Sequence, residues 1–111
     1  MFKRIITLTI LSIVLNKSSL IAQASLEASV NYSKPRKAFD STISELQSIQ
    51  FKLSEMATSI EAARLMIYSA AINKDSGKSY IKEASMGKLL ASQAAVNCAI
   101  EAIQIHGGYG Y

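Results

Sequence analysis

The chain is poor in the residues that interrupt or staple a fold. It has one Pro, one Cys, one His, no Trp and five Gly among 111 residues. A single cysteine, Cys98, excludes an internal disulfide. With His106 as the only histidine, a zinc site of the Cys/His kind is excluded within one chain. Three of the five glycines fall in the last five residues, and the only proline is Pro35. Long stretches without either breaker favour helices. Val, Thr and aromatic residues are too sparse for a β protein, whereas Ala, Ser, Ile, Leu and Lys are plentiful. The net charge of +4 is scattered. Only Lys34, Arg36 and Lys37 cluster, and no aromatics interleave with a basic run, so a nucleic-acid platform is not expected. The length suits a single domain.

What is present is helical periodicity. The clearest case is Leu46, Ile49, Leu53, Met56, Ile60, Ala63, Ile67 and Ala70, spaced 3, 4, 3, 4, 3, 4, 3. Such a stripe marks one buried face of a long helix. Thr42-Ile43-Ser44-Glu45 reads as a capping box opening that helix, with Thr42 as N-cap. The helix is expected to end near Asn73, before the turn Asp75-Ser76-Gly77-Lys78.

An earlier helix runs to about Tyr32 or Ser33, stopped by Pro35. Ile21, Ala24 and Ala28 lie on one side of it, with Leu20 beside them, a periodicity that is only moderate. A third helix starts after Ser79, a plausible N-cap, and runs to about Ile105, with Gly107 ending it. It carries a small-residue face (Ala84, Ala91, Ala95, Cys98, Ala102) and a bulkier one (Met86, Leu89, Leu90, Val96, Ile100, Ile103). Apolar on two sides, it is expected to be buried on both and to need a further partner, from this chain's N-terminus or another chain. The fold class is therefore all-α: an antiparallel bundle of three long helices plus an N-terminal apolar segment.

That N-terminal segment has three readings, the plainest being a helix start that packs on the others. Lys3 and Arg4, the apolar run Ile5–Leu15 and then Ala22-Gln23-Ala24 make a passable secretory signal. The absence of acidic residues before Glu27 suits a mitochondrial presequence in charge. The run is too short to span a bilayer core, which takes roughly 20 apolar residues.

Five short segments then carry a resemblance. They are Ile21–Glu27 with Arg36-Lys37-Ala38-Phe39; Leu46–Leu53; Ile60–Leu65; Ile81–Met86; and Ala102-Ile103-Gln104-Ile105-His106-Gly107-Gly108-Tyr109-Gly110-Tyr111. Their order, gaps and wording resemble the C-terminal helical domain of acyl-CoA dehydrogenases of the short-chain or short/branched-chain type. The resemblance covers residues 20–111, leaving residues 1–19 unmatched. It implies an FAD-dependent oxidation of an acyl-CoA to its 2,3-enoyl-CoA, with electrons passed to an electron-transferring flavoprotein. It also implies a homo-oligomer, a tetramer in the family, and a mitochondrial matrix location; export through residues 1–24 is the alternative.

The resemblance further implies which residues meet FAD. Arg36 corresponds to an arginine that reaches a neighbouring subunit's pyrophosphate, a task that forked guanidinium donors suit. Gln47 corresponds to an FAD contact one turn into the second helix. Phe39 either packs beside the adenosine half or plugs its loop onto the bundle. Gln104, Ile105, His106, Gly107 and Gly108 correspond to a second FAD-contacting stretch, where glycines allow close backbone approach. His106 is read as a capping or surface histidine. Glu61 and Arg64 are expected to pair on the helix surface, and Cys98 to be a small core residue.

Two departures stand out. The family has Gly then Pro after Phe39, where this chain has Asp40-Ser41-Thr42. Asp40 brings a negative charge toward the pyrophosphate, and Pro35 is able to re-aim Arg36. The family's catalytic glutamate, in a Tyr-Glu-Gly-Thr-like segment, has no counterpart here, so no catalytic residue is assigned and the chain alone is expected to be inactive.

Overall fold

The computed structural model describes the backbone from Phe2 to Tyr111 and the side chains from Lys17 onward. The side chains of Lys3, Arg4 and the run Ile5–Leu15 thus lie outside the described residues. Three helices dominate: α1 (Phe2–Ser33), α2 (Gln47–Asp75) and α3 (Ile81–His106). Between α1 and α2 lie two short strands, β1 (Lys37–Ala38) and β2 (Ser41–Thr42), and a 3₁₀ turn at Ile43–Glu45. A second 3₁₀ turn, Gly107–Gly110, follows α3. The helices run up, down, up, in a rod of 59 × 22 × 17 Å. The exits of α1 and α3 and the entry of α2 share one end.

The stripe on α2 lies inward. Met56, Ile60, Ala63 and Ala70 are buried, and Leu46, Ile49, Leu53 and Ile67 half-buried. The facing side of α3 is its small-residue side, with Ala91, Ala94, Ala95 and Cys98 buried. Small side chains let the helix axes approach: a Cβ added at Gly87 would meet the Ile67 side chain at 3.3 Å. Lys52 of α2 and Glu101 of α3 form an ion pair across this seam. Glu61 and Arg64 pair on the surface of α2 at 2.7 Å, as their spacing suggests. A Schellman arrangement closes α2, with Lys78 N–H donating to Asn73 O at 2.9 Å and Gly77 N–H to Lys74 O at 3.1 Å.

Several expectations are corrected. The inward face of α1 is not Ile21, Ala24 and Ala28, which are exposed along with Leu20. Ala22, Ser29 and Ser33 are buried instead, with Leu26 half-buried, a 4, 3, 4 spacing that sequence hydropathy conceals. The serines tolerate burial because each hydroxyl donates within its own helix, Ser29 Oγ to Ser25 O at 2.7 Å and Ser33 Oγ to Val30 O at 3.0 Å.

Thr42 does not cap α2. It is extended, and its hydroxyl pairs with Ser44 Oγ at 2.9 Å. Ile43 is drawn into the core, with its N–H donating to Arg36 O at 2.8 Å, and the helix starts only at Gln47. Tyr80, not Ser79, is the N-cap residue of α3 and makes no side-chain cap bond. The bulkier face of α3 is largely uncovered among the described residues: Met86, Leu89, Val96, Ile100 and Ile103 are exposed and Leu90 is half-buried.

Candidate functional site

The first component is the α1 exit. After Ser33 the chain turns through Pro35, with Arg36 N–H reaching back to Tyr32 O at 3.4 Å. β1 and β2 pair antiparallel, Lys37 with Thr42 and Ala38 with Ser41. Only Phe39 and Asp40 remain to make the turn, with φ of 55° and 64°. Positive φ at both central residues is the signature of a type I′ hairpin turn, which favours Asn and Gly. The glycine that the family resemblance calls for after Phe39 is thereby explained, and Asp40 is a tolerated substitute. Phe39 is 89% exposed, so it does not plug its loop onto the bundle. An exposed aromatic in a left-handed conformation is a costly arrangement that folding alone does not reward.

The second component is the α3 exit. Gly107 has φ +58° and ψ −128°, so a glycine is favoured there for backbone reasons, and its N–H donates to Ile103 O and Gln104 O. Gly108 is different: an added Cβ would meet nothing within 4 Å. Its value is the open space above the backbone. Gly110 is sterically required, since a Cβ there would lie 2.5 Å from Ile103 O. The 3₁₀ turn is thus seated directly on the last turn of α3.

The two exits meet. Tyr32 and His106 stack with ring centroids 4.4 Å apart and an interplanar angle of 26°. His106 Nδ1 lies 2.7 Å from Ala102 O, which can only accept, so Nδ1 carries a proton. Tyr109 sits 6.4 Å from Tyr32 at 57°, and the Arg36 guanidinium lies 5.7 Å from the Tyr109 ring centre. Together with Ile43, Ile105, Gly107 and Gly108 these residues line a cleft of about 210 Å³. No carboxylate is among the lining residues.

Of the residues singled out from the sequence, Arg36, Ile105, His106, Gly107 and Gly108 come together in this cleft. Ile105 is buried beneath it as a floor. Phe39, Gln47 and Gln104 belong to the same end of the rod but stand outside the lining, exposed. Gln47 is the first residue of α2, not one turn inside it. Tyr32 and Tyr109 were missed. Tyr32 falls before the Arg36 segment, and Tyr109 follows a glycine pair whose role is readable from backbone freedom alone. Aromatics flanking both exits were the available signal.

A second cleft, of about 250 Å³, lies between α2 and α3 around Lys52, Glu55, Met56, Ser59, Asn97, Cys98 and Glu101. Cys98 is buried at its base, with Ser59 Oγ 3.8 Å from Sγ, and burial pushes its thiol pKa up. It is a core residue, as its small size and position suggest. Among the described residues no group of three metal-ligating side chains occurs, and no helix is long and apolar enough to cross a membrane.

Comparison with known proteins decides the family. Residues 14–111 match the model of the acyl-CoA dehydrogenase C-terminal domain. The chain belongs to the acyl-CoA dehydrogenase family. It is 52% identical over 91 residues to the human mitochondrial short-chain specific acyl-CoA dehydrogenase, covering 82% of this chain and 22% of that protein. It is 44% identical over 98 residues to subunit CarC of the caffeyl-CoA reductase–Etf complex of Acetobacterium woodii, covering 88% and 26%. The fold superimposes on butyryl-CoA dehydrogenase from Megasphaera elsdenii with a TM-score of 0.83 at 44% identity, over 88% of this chain and 26% of that one. The chain thus spans about a quarter of the length of the acyl-CoA dehydrogenase relatives it matches.

Proposed function

We propose that this chain supplies the helical, FAD-contacting and subunit-contacting part of an FAD-dependent acyl-CoA dehydrogenase. The whole reaction would be the α,β-oxidation of a short or branched acyl-CoA to its enoyl-CoA. FAD supplies the hydride acceptor when bound, and electron-transferring flavoprotein takes the electrons onward. One observation carries the reading: Arg36 and the stretch Ile105–Gly108, far apart in sequence, form one cleft at one end of the rod.

The residues present fit the nucleotide end of FAD. The Arg36 guanidinium is a permanent cation that makes no ion pair among the described residues, Lys34 and Lys37 flank it, and Gly108 leaves the backbone open to close approach. A cleft of about 210 Å³ suits a phosphate group or the edge of an adenosine and is too small for a whole dinucleotide. Phe39, exposed at the hairpin tip, would cover the adenosine half, while Gln47 and Gln104 would add amide contacts from the rim. No carboxylate lines this cleft to take up the substrate's α proton. Glu101 is tied to Lys52 in the other cleft, and Glu83 lies in the first turn of α3 at the far end of the rod.

The exposed α3 face supports the homo-oligomeric reading. Met86, Leu89, Val96, Ile100 and Ile103 follow a 3, 7, 4, 3 spacing along one line of the helix, the pattern of a helix-packing seam. For location, the mitochondrial short-chain relatives favour the matrix, and the fold counts against export. Ala22, just before the signal-like cleavage point at Ala24, is fully buried against the bundle.

Titrating the full chain with FAD tests the reading. Binding weakened tenfold or more by Arg36→Ala, with Arg64→Ala unchanged, is the expected result; equal binding by all three would overturn it. With FAD and butyryl-CoA present, no acyl-CoA-dependent reduction of an artificial acceptor is expected from this chain alone.

A further inference from the structure

We propose that Tyr109 is a positioning residue that holds Arg36 in its phosphate-facing pose, backed by Tyr32 and His106; this rests on the reading of Arg36 as a phosphate-contacting group. An exposed arginine ordinarily samples many rotamers and loses that freedom on binding. Here the guanidinium carbon lies 5.7 Å from the Tyr109 ring centre, the range of a cation–π contact. A single ring engages only part of the guanidinium, and the remaining N–H donors stay available to phosphate oxygens. The ring is neutral, so the full positive charge also remains, unlike in an ion pair with a carboxylate.

Tyr109 can act this way only if it is itself fixed, and three contacts fix it. Its ring leans on Tyr32 at 6.4 Å and 57°. Tyr32 stacks on His106 at 4.4 Å, and His106 is anchored through Nδ1 to Ala102 O at 2.7 Å. The 3₁₀ turn carrying Tyr109 is seated on Ile103 at a point where only glycine fits at position 110. A rigid α3 terminus thus reaches across to order a side chain on the α1 exit. Tyr109 is 77% exposed, more than core packing would leave it, so its ring is placed for its neighbours on the surface and not for the interior.

Two measurements on the full chain test this. Arg4, Arg36 and Arg64 are the only arginines, so the guanidinium Nε–Hε signals of a labelled sample are few and Arg36→Lys assigns the relevant one. In the parent chain and in Tyr109→Phe that signal should be shifted upfield by the ring, and in Tyr109→Leu the shift should disappear. Titration with inorganic pyrophosphate should show roughly two- to fivefold weaker binding for Tyr109→Leu, the size of an exposed cation–π contact, with Tyr109→Phe near the parent. An Nε–Hε signal indifferent to Tyr109→Leu overturns the proposal whatever pyrophosphate does. So does a shifted signal with unchanged pyrophosphate affinity in Tyr109→Leu when Arg36→Ala abolishes binding. If Arg36→Ala itself leaves pyrophosphate binding unchanged, the phosphate reading fails, and with it a phosphate-facing role for Tyr109, while the signal still shows whether the ring holds the arginine. Unchanged far-ultraviolet circular dichroism in each variant separates these outcomes from misfolding.

Discussion

Asp40 brings two opposing requirements onto one residue. Its φ of 64° places it in the left-handed region, where a side chain costs free energy and glycine does not. Its charge sits on the same loop as Arg36. The two effects separate by substitution. Asp40→Gly should raise unfolding free energy by about 1 kcal/mol, read by urea denaturation. Asp40→Asn, which tolerates the same backbone, should leave stability nearly unchanged but strengthen pyrophosphate binding by about threefold, as expected for removing one screened surface charge. If Asn and Gly behave alike in both assays, the backbone and the charge are not separate causes. Cys98 supplies a pH signature. Burial lifts its thiol above the ordinary value of 9.0, so the folded chain holds that proton more tightly than the unfolded one. Its contribution to stability is intact below pH 9.0 and lost as pH rises through the higher folded value. The parent should therefore lose stability in alkali more steeply than Cys98→Ala, as paired thermal melts between pH 7 and 10 would register; parallel curves would mean the thiol titrates as in water.

The helices differ in how plainly their residues announce them. On α2 the spacing of bulky apolar residues and the buried face coincide, because each stripe residue is also an anchor. On α1 they diverge. The seam there uses Ala22, Ser29 and Ser33, and a hydroxyl that satisfies itself on a carbonyl one turn earlier is locally apolar in effect while polar on any hydropathy scale. The hairpin was illegible for a related reason. Its strands are two residues each, and its turn carries Phe-Asp where Asn-Gly would have signalled it. Of the cleft, Arg36 and Ile105–Gly108 were legible through family wording, whereas Tyr32 and Tyr109 became visible only once the α1 and α3 exits were side by side. The difference between the buried seam and the outer face of α3 is quantitative. Ile60→Ala, at a buried α2 residue facing α3, should cost about 2–5 kcal/mol. Val96→Lys, on the outer face, should change stability by less than about 0.5 kcal/mol. A large loss for Val96→Lys in dilute solution would mean that this face is already covered, by a second copy of the chain.

At the scale of the molecule, chemistry and stability occupy different lengths of one rod. The cleft lies at one end, yet its Tyr32 is held there by α1, which runs without a break from Phe2 to Ser33. Cleavage after Ala24, the event that export would require, would leave α1 only its residues 25–33. A helix that short is marginal without tertiary support, and the cut also removes Ala22 from the core. The Tyr32–His106 stack would then depend on a frayed segment, and the Arg36–Tyr109 contact with it. A chain beginning at Ser25 should therefore melt at least about 8 °C lower than the full chain, the consequence of losing roughly 2 kcal/mol in a domain of this size. It should also lose pyrophosphate binding before it loses the helicity of α2 and α3, because the site draws on the weakest part of the remaining structure. Equal melting temperatures and equal binding for the two chains would show that the first 24 residues are dispensable. The burial of Ala22 would then no longer count against export.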